Sequence, residues 1–127
     1  LILNPDGTVS ETNTANLLII NGPDVVRPKS PAVLPGVMAQ AVWRQLAAWD
    51  FSISERPVQP VELMSAETVL AANALMGVVP VTRVDGQNRP ADGDLWVRLN
   101  DVIIPGWSET AEESSNAGTS CAVLPQN

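Results

Sequence analysis

The chain has 127 residues, 45% of them hydrophobic, enough for one domain, or part of one, with a core of its own. Fourteen acidic against seven basic residues give a formal charge of −7, which argues against nucleic acid or an anionic membrane as partner, because both need a basic face. Histidine is absent and cysteine occurs once, at Cys121, which sets aside a Ser-His triad, a zinc centre and an intrachain disulfide.

The first residues, Leu1 to Asn4, read as a strand entering the turn Asn4-Pro5-Asp6-Gly7, with Thr8 to Glu11 as the returning strand. After the polar Thr12-Asn13-Thr14 comes the apolar run Ala15 to Ile20, which turns at Asn21-Gly22-Pro23-Asp24 into Val25-Val26-Arg27. Two successive hairpins predict a meander. Pro28, Pro31 and Pro35 then keep the connection extended up to a helix that begins at Val37. Its apolar side is Met38, Val42, Leu46 and Trp49, and Gln40, Arg44 and Gln45 take the wet side.

Phe51 to Glu55 alternates as a half-buried strand does, between that helix and Pro57 and Pro60. A short helical turn over Val61 to Ala66 precedes the buried-strand pattern Thr68 to Ala72, the turn Asn73 to Gly77 and a further strand, Val78 to Val84. Gln87 to Asp94 reads as loop, and Asp94 as the cap of a short helix carrying Leu95, Trp96, Leu99 and Ile103. From Trp107 the composition turns to Ser, Glu, Thr, Ala and Gly, so residues 1–107 are expected to form the domain and 108–127 a mobile polar tail. No run suits a signal peptide or a membrane span, and a cytoplasmic location is expected.

Three places carry possible chemistry. Gly36 ahead of the helix leaves the first backbone N–H groups bare at the positive end of the dipole, where a phosphate fits, although a glycine there can equally do no more than end a loop. Glu11 follows a strand and precedes Asn16 and a wholly apolar run; it is either a carboxylate on the floor of a sheet, which needs a partner, or a solvated hairpin-edge residue. Asn73, between an apolar strand and a tight turn, either caps that turn or reaches a ligand.

Taken in order, TVSETNTANLLI, the VVRPK strand, LPGVMAQAV, ERPV and AANALMGVVPVTRVDG resemble the C-terminal domain of the class IV aminotransferases, the fold-type IV pyridoxal-phosphate enzymes. Within that family the pattern is most similar to 4-amino-4-deoxychorismate lyase, which carries a comparable G-[IV]-M-x-Q at the helix start and N-A-L-M-x-V-x-P-V near the end. The resemblance implies an α+β fold with a mixed or antiparallel sheet and packed helices. It implies pyridoxal 5'-phosphate as cofactor, with Glu11 facing the pyridine nitrogen, the backbone of Val37 and Met38 on the phosphate, and Asn73 with Ala74 closing on it from the other side. The implied reaction eliminates pyruvate from a small-molecule substrate to leave 4-aminobenzoate, a folate precursor. A branched-chain or D-amino-acid aminotransferase fragment is the alternative within the family, and a non-catalytic remnant or binding module the alternative outside it.

The Schiff-base lysine of the family lies upstream of the Glu11 hairpin, so the chain is expected to be incomplete on its N-terminal side, to need that missing half as a partner, and to be inactive alone. Lys29, the one lysine, matches a variable position, and its Pro-flanked setting gives no reason for a nucleophilic amine. Position 39 is alanine where arginine is usual. The complete enzyme is expected to be a homodimer, and this portion alone to expose apolar surface.

Overall fold

The structure, a computed structural model, describes residues 1–12, 15–30, 36–89, 93–104 and 122–124. Its strands are β1 (Ile2–Leu3), β2 (Val9–Glu11), β3 (Asn16–Asn21), β4 (Asp24–Pro28), β5 (Ser52–Arg56), β6 (Thr68–Asn73), β7 (Gly77–Val84), β8 (Gln87–Asn88) and β9 (Ala122–Leu124). The helices are α1 (Val37–Ala48), α2 (Pro60–Ser65) and α3 (Leu95–Ile103). A seven-stranded sheet runs β5-β4-β3-β6-β7-β8, with β9 also on β7. Its middle is antiparallel, while β5 lies parallel to β4 and β9 parallel to β7. A parallel pair needs a crossover, and α1 is that crossover between β4 and β5. The α+β architecture with a mixed sheet follows.

The apolar run of β3 is explained by cover on both faces. Leu17 and Ile19 pack with Val9, Val58, Leu63 and Val69 on one side. Leu18 and Ile20 pack with Val42, Leu46, Leu70 and Leu99 on the other. The sheet therefore lies between the β1-β2 hairpin with α2 and the pair α1 and α3. Val42 and Leu46 are the buried stripe of α1, Met38 and Trp49 pack partly buried beside them, and Ala39 is buried as well. Asp50, at φ 65, ends the helix in the left-handed region.

Several expectations are corrected. The two hairpins do not make a meander: β1 and β2 form a sheet of their own, whose register shifts between Ile2 and Leu3. It is tied across by the Val9 N–H donating to the Val58 carbonyl (2.7 Å) rather than by pairing with β3. β5 is less buried than its alternation implies, because it is an edge strand with only Ile53 turned into the α1 side. Asp94 stands at the start of α3 without a side-chain cap. The stretch read as loop after Gly86 contains β8, and residues 122–124, inside the span read as a mobile tail, pair with β7. Pro31, Pro35 and Trp107 lie outside the described residues.

The link from β5 to α2 is ionic. Glu62 accepts from the Gln59 backbone N–H (2.7 Å) and from Arg56 (2.7 Å). The Arg56 hydrogen bond first, then that of Gln59, holds its carboxyl below the ordinary 4.5. A carboxyl lowered in the folded state stabilises above its unfolded pKa, and the contribution disappears as pH falls through the folded value. Acidifying from neutral is thus expected to lower the melting temperature less in Glu62→Gln than in the parent chain, and thermal unfolding followed across that range checks it.

Candidate active site

The start of α1 carries no side-chain cap, an arrangement that can receive an anion. Gly36, at φ −68 and ψ 152, has no side chain to cap the helix, and no acidic residue occupies the first turn. Its own N–H is taken by the Asn16 side-chain oxygen (3.1 Å), and the first intrahelical bond runs from the Gln40 N–H to the Gly36 carbonyl (3.0 Å). The N–H groups at Val37 and Met38 are thereby left as orphan donors at the positive end of the dipole.

Asn16 opens β3 and joins this helix start to the carboxylate. Its Nδ2 donates to Glu11 Oε2 (3.3 Å) while its Oδ1 receives the Gly36 N–H, so a single amide sets the spacing between Glu11 and α1. The loop between β2 and β3 is pinned at its base: the Thr12 and Ala15 backbones bond (3.0 Å), and Thr12 Oγ1 accepts the Ala15 N–H (2.8 Å). Glu11 is half-buried beside it.

The third wall is the turn between β6 and β7. Asn16 pairs with Ala72 across β3 and β6, which brings the next residue, Asn73, to the same end of the sheet. Asn73 Oδ1 accepts the N–H groups of Leu75 (2.9 Å) and Met76 (2.7 Å), so its oxygen shapes the turn, the first of the two roles the sequence allowed. Ala74 follows, and Leu75 beyond it is 98% exposed.

Glu11, Val37, Met38, Asn73 and Ala74 all line one cavity of about 300 Å³, together with Thr12, Ala15, Asn16, Gly36 and Ala72. Lys29 is exposed at the end of β4 and is not part of that lining. Sequence reasoning assigned no role to Asn16. Its signal was a polar residue at the head of the apolar run Leu17 to Ile20, which is buried on both faces.

Gly36 is required here by space, not by its backbone angles. A Cβ on it would stand 2.7 Å from Asn16 Oδ1. Gly36→Ala is expected to push the Asn16 amide off both its partners and cost about 1–3 kcal/mol. In an Asn16→Ala background the same change should be nearly neutral, and a double-mutant cycle by denaturant unfolding measures that coupling.

Comparison with known proteins identifies the family of the chain. The family Amino-transferase class IV matches residues 1–84, which include all the lining residues of the cavity. This chain belongs to the class IV aminotransferases. Branched-chain-amino-acid aminotransferase-like protein 2 of Arabidopsis thaliana is 29% identical over 87 residues, 68% of this chain and 16% of that protein. Among solved structures, 4-amino-4-deoxychorismate lyase from Pseudomonas aeruginosa is 27% identical, with a TM-score of 0.74 over 81% of this chain and 38% of its own. An aminotransferase from Brucella abortus bound to the co-factor PLP shares the fold at 23% identity and TM-score 0.72, over 88% of this chain and 39% of its own. The class IV chain described here therefore spans less than half the length of each of these relatives.

Proposed function

We propose that this chain is the cofactor-holding part of a pyridoxal-phosphate enzyme of the class IV family, and that the complete enzyme is a lyase acting on 4-amino-4-deoxychorismate. The observation that carries the cofactor reading is the shared cavity. A carboxylate and an uncapped helix start are held at a fixed spacing by Asn16, in a space at the lower end of the usual range for small-molecule sites. These residues fit the group: an acceptor for a pyridinium and backbone donors for a phosphate are what it needs. When bound, pyridoxal phosphate supplies the electron sink for a carbanion beside the substrate nitrogen.

Each residue then has a physical task. Glu11 favours the protonated pyridine nitrogen, because a nearby carboxylate stabilises the cationic form. The Val37 and Met38 N–H groups hold the phosphate by charge-assisted hydrogen bonds, which is how a chain of charge −7 binds an anion. Asn73 and Ala74 close on the phosphate from the β6-β7 side. We place the Schiff-base lysine in a part of the enzyme outside these 127 residues, since they span 38% of the Pseudomonas aeruginosa lyase, and Lys29 has no part in the reaction.

The lyase reading is supported by Met38 after Val37 and by Asn73-Ala74 at the turn, and by the 27% identity to the Pseudomonas aeruginosa lyase. The 29% identity to a branched-chain-aminotransferase-like protein favours transamination as the second reading. The two are separated in the complete protein. Release of 4-aminobenzoate and pyruvate from 4-amino-4-deoxychorismate is expected. Amino-group transfer between a branched-chain amino acid and a 2-oxo acid, without that release, would overturn the lyase assignment.

A further inference from the structure

Helix α3 lies beyond the residues matched by the family, yet it bonds the residue that follows the β6-β7 turn. Asn100, in its middle, is fully buried. Its Oδ1 accepts the Val78 N–H (2.9 Å) and its Nδ2 donates to the Val78 carbonyl (2.7 Å). Both backbone groups of one residue are thus satisfied by one side-chain amide, as a neighbouring strand would satisfy them.

The topology explains the need. Val78 pairs with Ala72, and its N–H and C=O point away from β6. Neither β8 nor β9 pairs with β7 before Val81, so among the described residues the buried Val78 groups would have no partner without Asn100. The fit is tight as well. Gly77 sits at φ +72, and a Cβ there would meet Asn100 Oδ1 at 2.6 Å and Ile104 Cδ1 at 2.8 Å. The turn from Asn73 to Gly77 is therefore gripped at both ends: Asn73 Oδ1 holds its first half, and Asn100 fixes the residue that follows its last.

We infer that Asn100 is a positioning residue for the phosphate end of the cavity: through Val78 it holds the Asn73–Gly77 turn at the place where Asn73 and Ala74 line the site. This rests on reading the cavity as a pyridoxal-phosphate site, so the test has one arm that needs no ligand. The probes are pyridoxal 5'-phosphate and pyridoxal, which differ by the phosphate, and amide hydrogen exchange read residue by residue.

Asn100→Ala is expected to weaken pyridoxal phosphate about tenfold, as for one lost charge-assisted contact, and to leave pyridoxal unchanged. Exchange at Leu75 and Met76 is expected to quicken while Leu18 and Leu70, at the sheet centre, keep their rates. A residue of purely structural importance would give a different pattern. Equal weakening of both probes, or no faster exchange at the turn than in the parent chain, overturns the inference. If the parent chain binds neither probe, the cofactor reading fails, and exchange at the turn decides alone whether Asn100 holds it. Should Asn100→Ala not fold, Asn100→Asp, which keeps the shape and the acceptor for the Val78 N–H, is read by the same criteria.

Discussion

Glu11→Ala is expected to weaken pyridoxal phosphate binding about 10- to 100-fold, the range for losing a hydrogen bond to a charged group. The reason is local. Glu11 is the carboxylate in the cavity lining, and the Asn16 amide that positions it is itself fixed by the helix start. Removing the carboxylate leaves the Asn16 Nδ2 without that acceptor and the pyridine nitrogen without its counter-charge. Glu11→Gln keeps the shape and removes only the charge, so it separates the two effects. It should lower affinity less than alanine and move the bound cofactor's absorbance toward the unprotonated pyridine form. Titration by absorbance and by tryptophan fluorescence measures both variants, and parent-like affinity in each would remove Glu11 from the site.

The largest effect on stability is expected at Arg89. Arg89 is 5% exposed; its guanidinium donates to the carbonyls of Leu63 (2.9 Å), Val81 (3.1 Å) and Ala66 (2.5 Å), and its backbone N–H donates to the Thr82 carbonyl (2.9 Å). It fastens the end of α2 to β7, because the carbonyls at Leu63 and Ala66 belong to the last turn of that helix and its cap. Arg89→Ala leaves those carbonyls buried without their donor and opens a cavity, at a cost of about 3 to 5 kcal/mol. A domain of this kind has only about 5 to 15 kcal/mol in total, so the midpoint of urea unfolding should fall steeply. Arg89→Met restores much of the volume but none of the donors, and is expected to recover only the packing part. An unchanged midpoint in Arg89→Ala would contradict the role.

Arg89 also shows where the sequence stopped being readable. It stands in a stretch whose composition reads as loop, and nothing local distinguishes an arginine that stays in water from one that is buried against carbonyls of a helix more than twenty residues away. Local signals were sufficient where the chain's own periodicity decides the structure. The α1 stripe at Val42 and Leu46, the turn at Asn21 to Asp24 and the apolar β6 are all of that kind. Long-range pairing was not legible. The separation of β1-β2 from β3 depends on Val58, and β9 depends on an edge of β7 that local sequence does not reveal.

For the cavity the division is similar. Gly36 and Glu11 could be singled out by type and position, but each reading needed the other wall to be in place. That Asn16 links them, and that Asn100 holds the third wall, are facts of pairing between β3, α1, β7 and α3.

On the proposed reading, this chain cradles the cofactor through Glu11, the start of α1 and the β6-β7 turn, without using its own lysine. The most direct measurement is titration of the parent chain with pyridoxal phosphate, competed by inorganic phosphate, followed by borohydride reduction and intact mass. Saturable, phosphate-sensitive binding that leaves the mass of the chain unchanged after reduction is expected. No saturable binding, or a stoichiometric adduct mapped to Lys29, would contradict it.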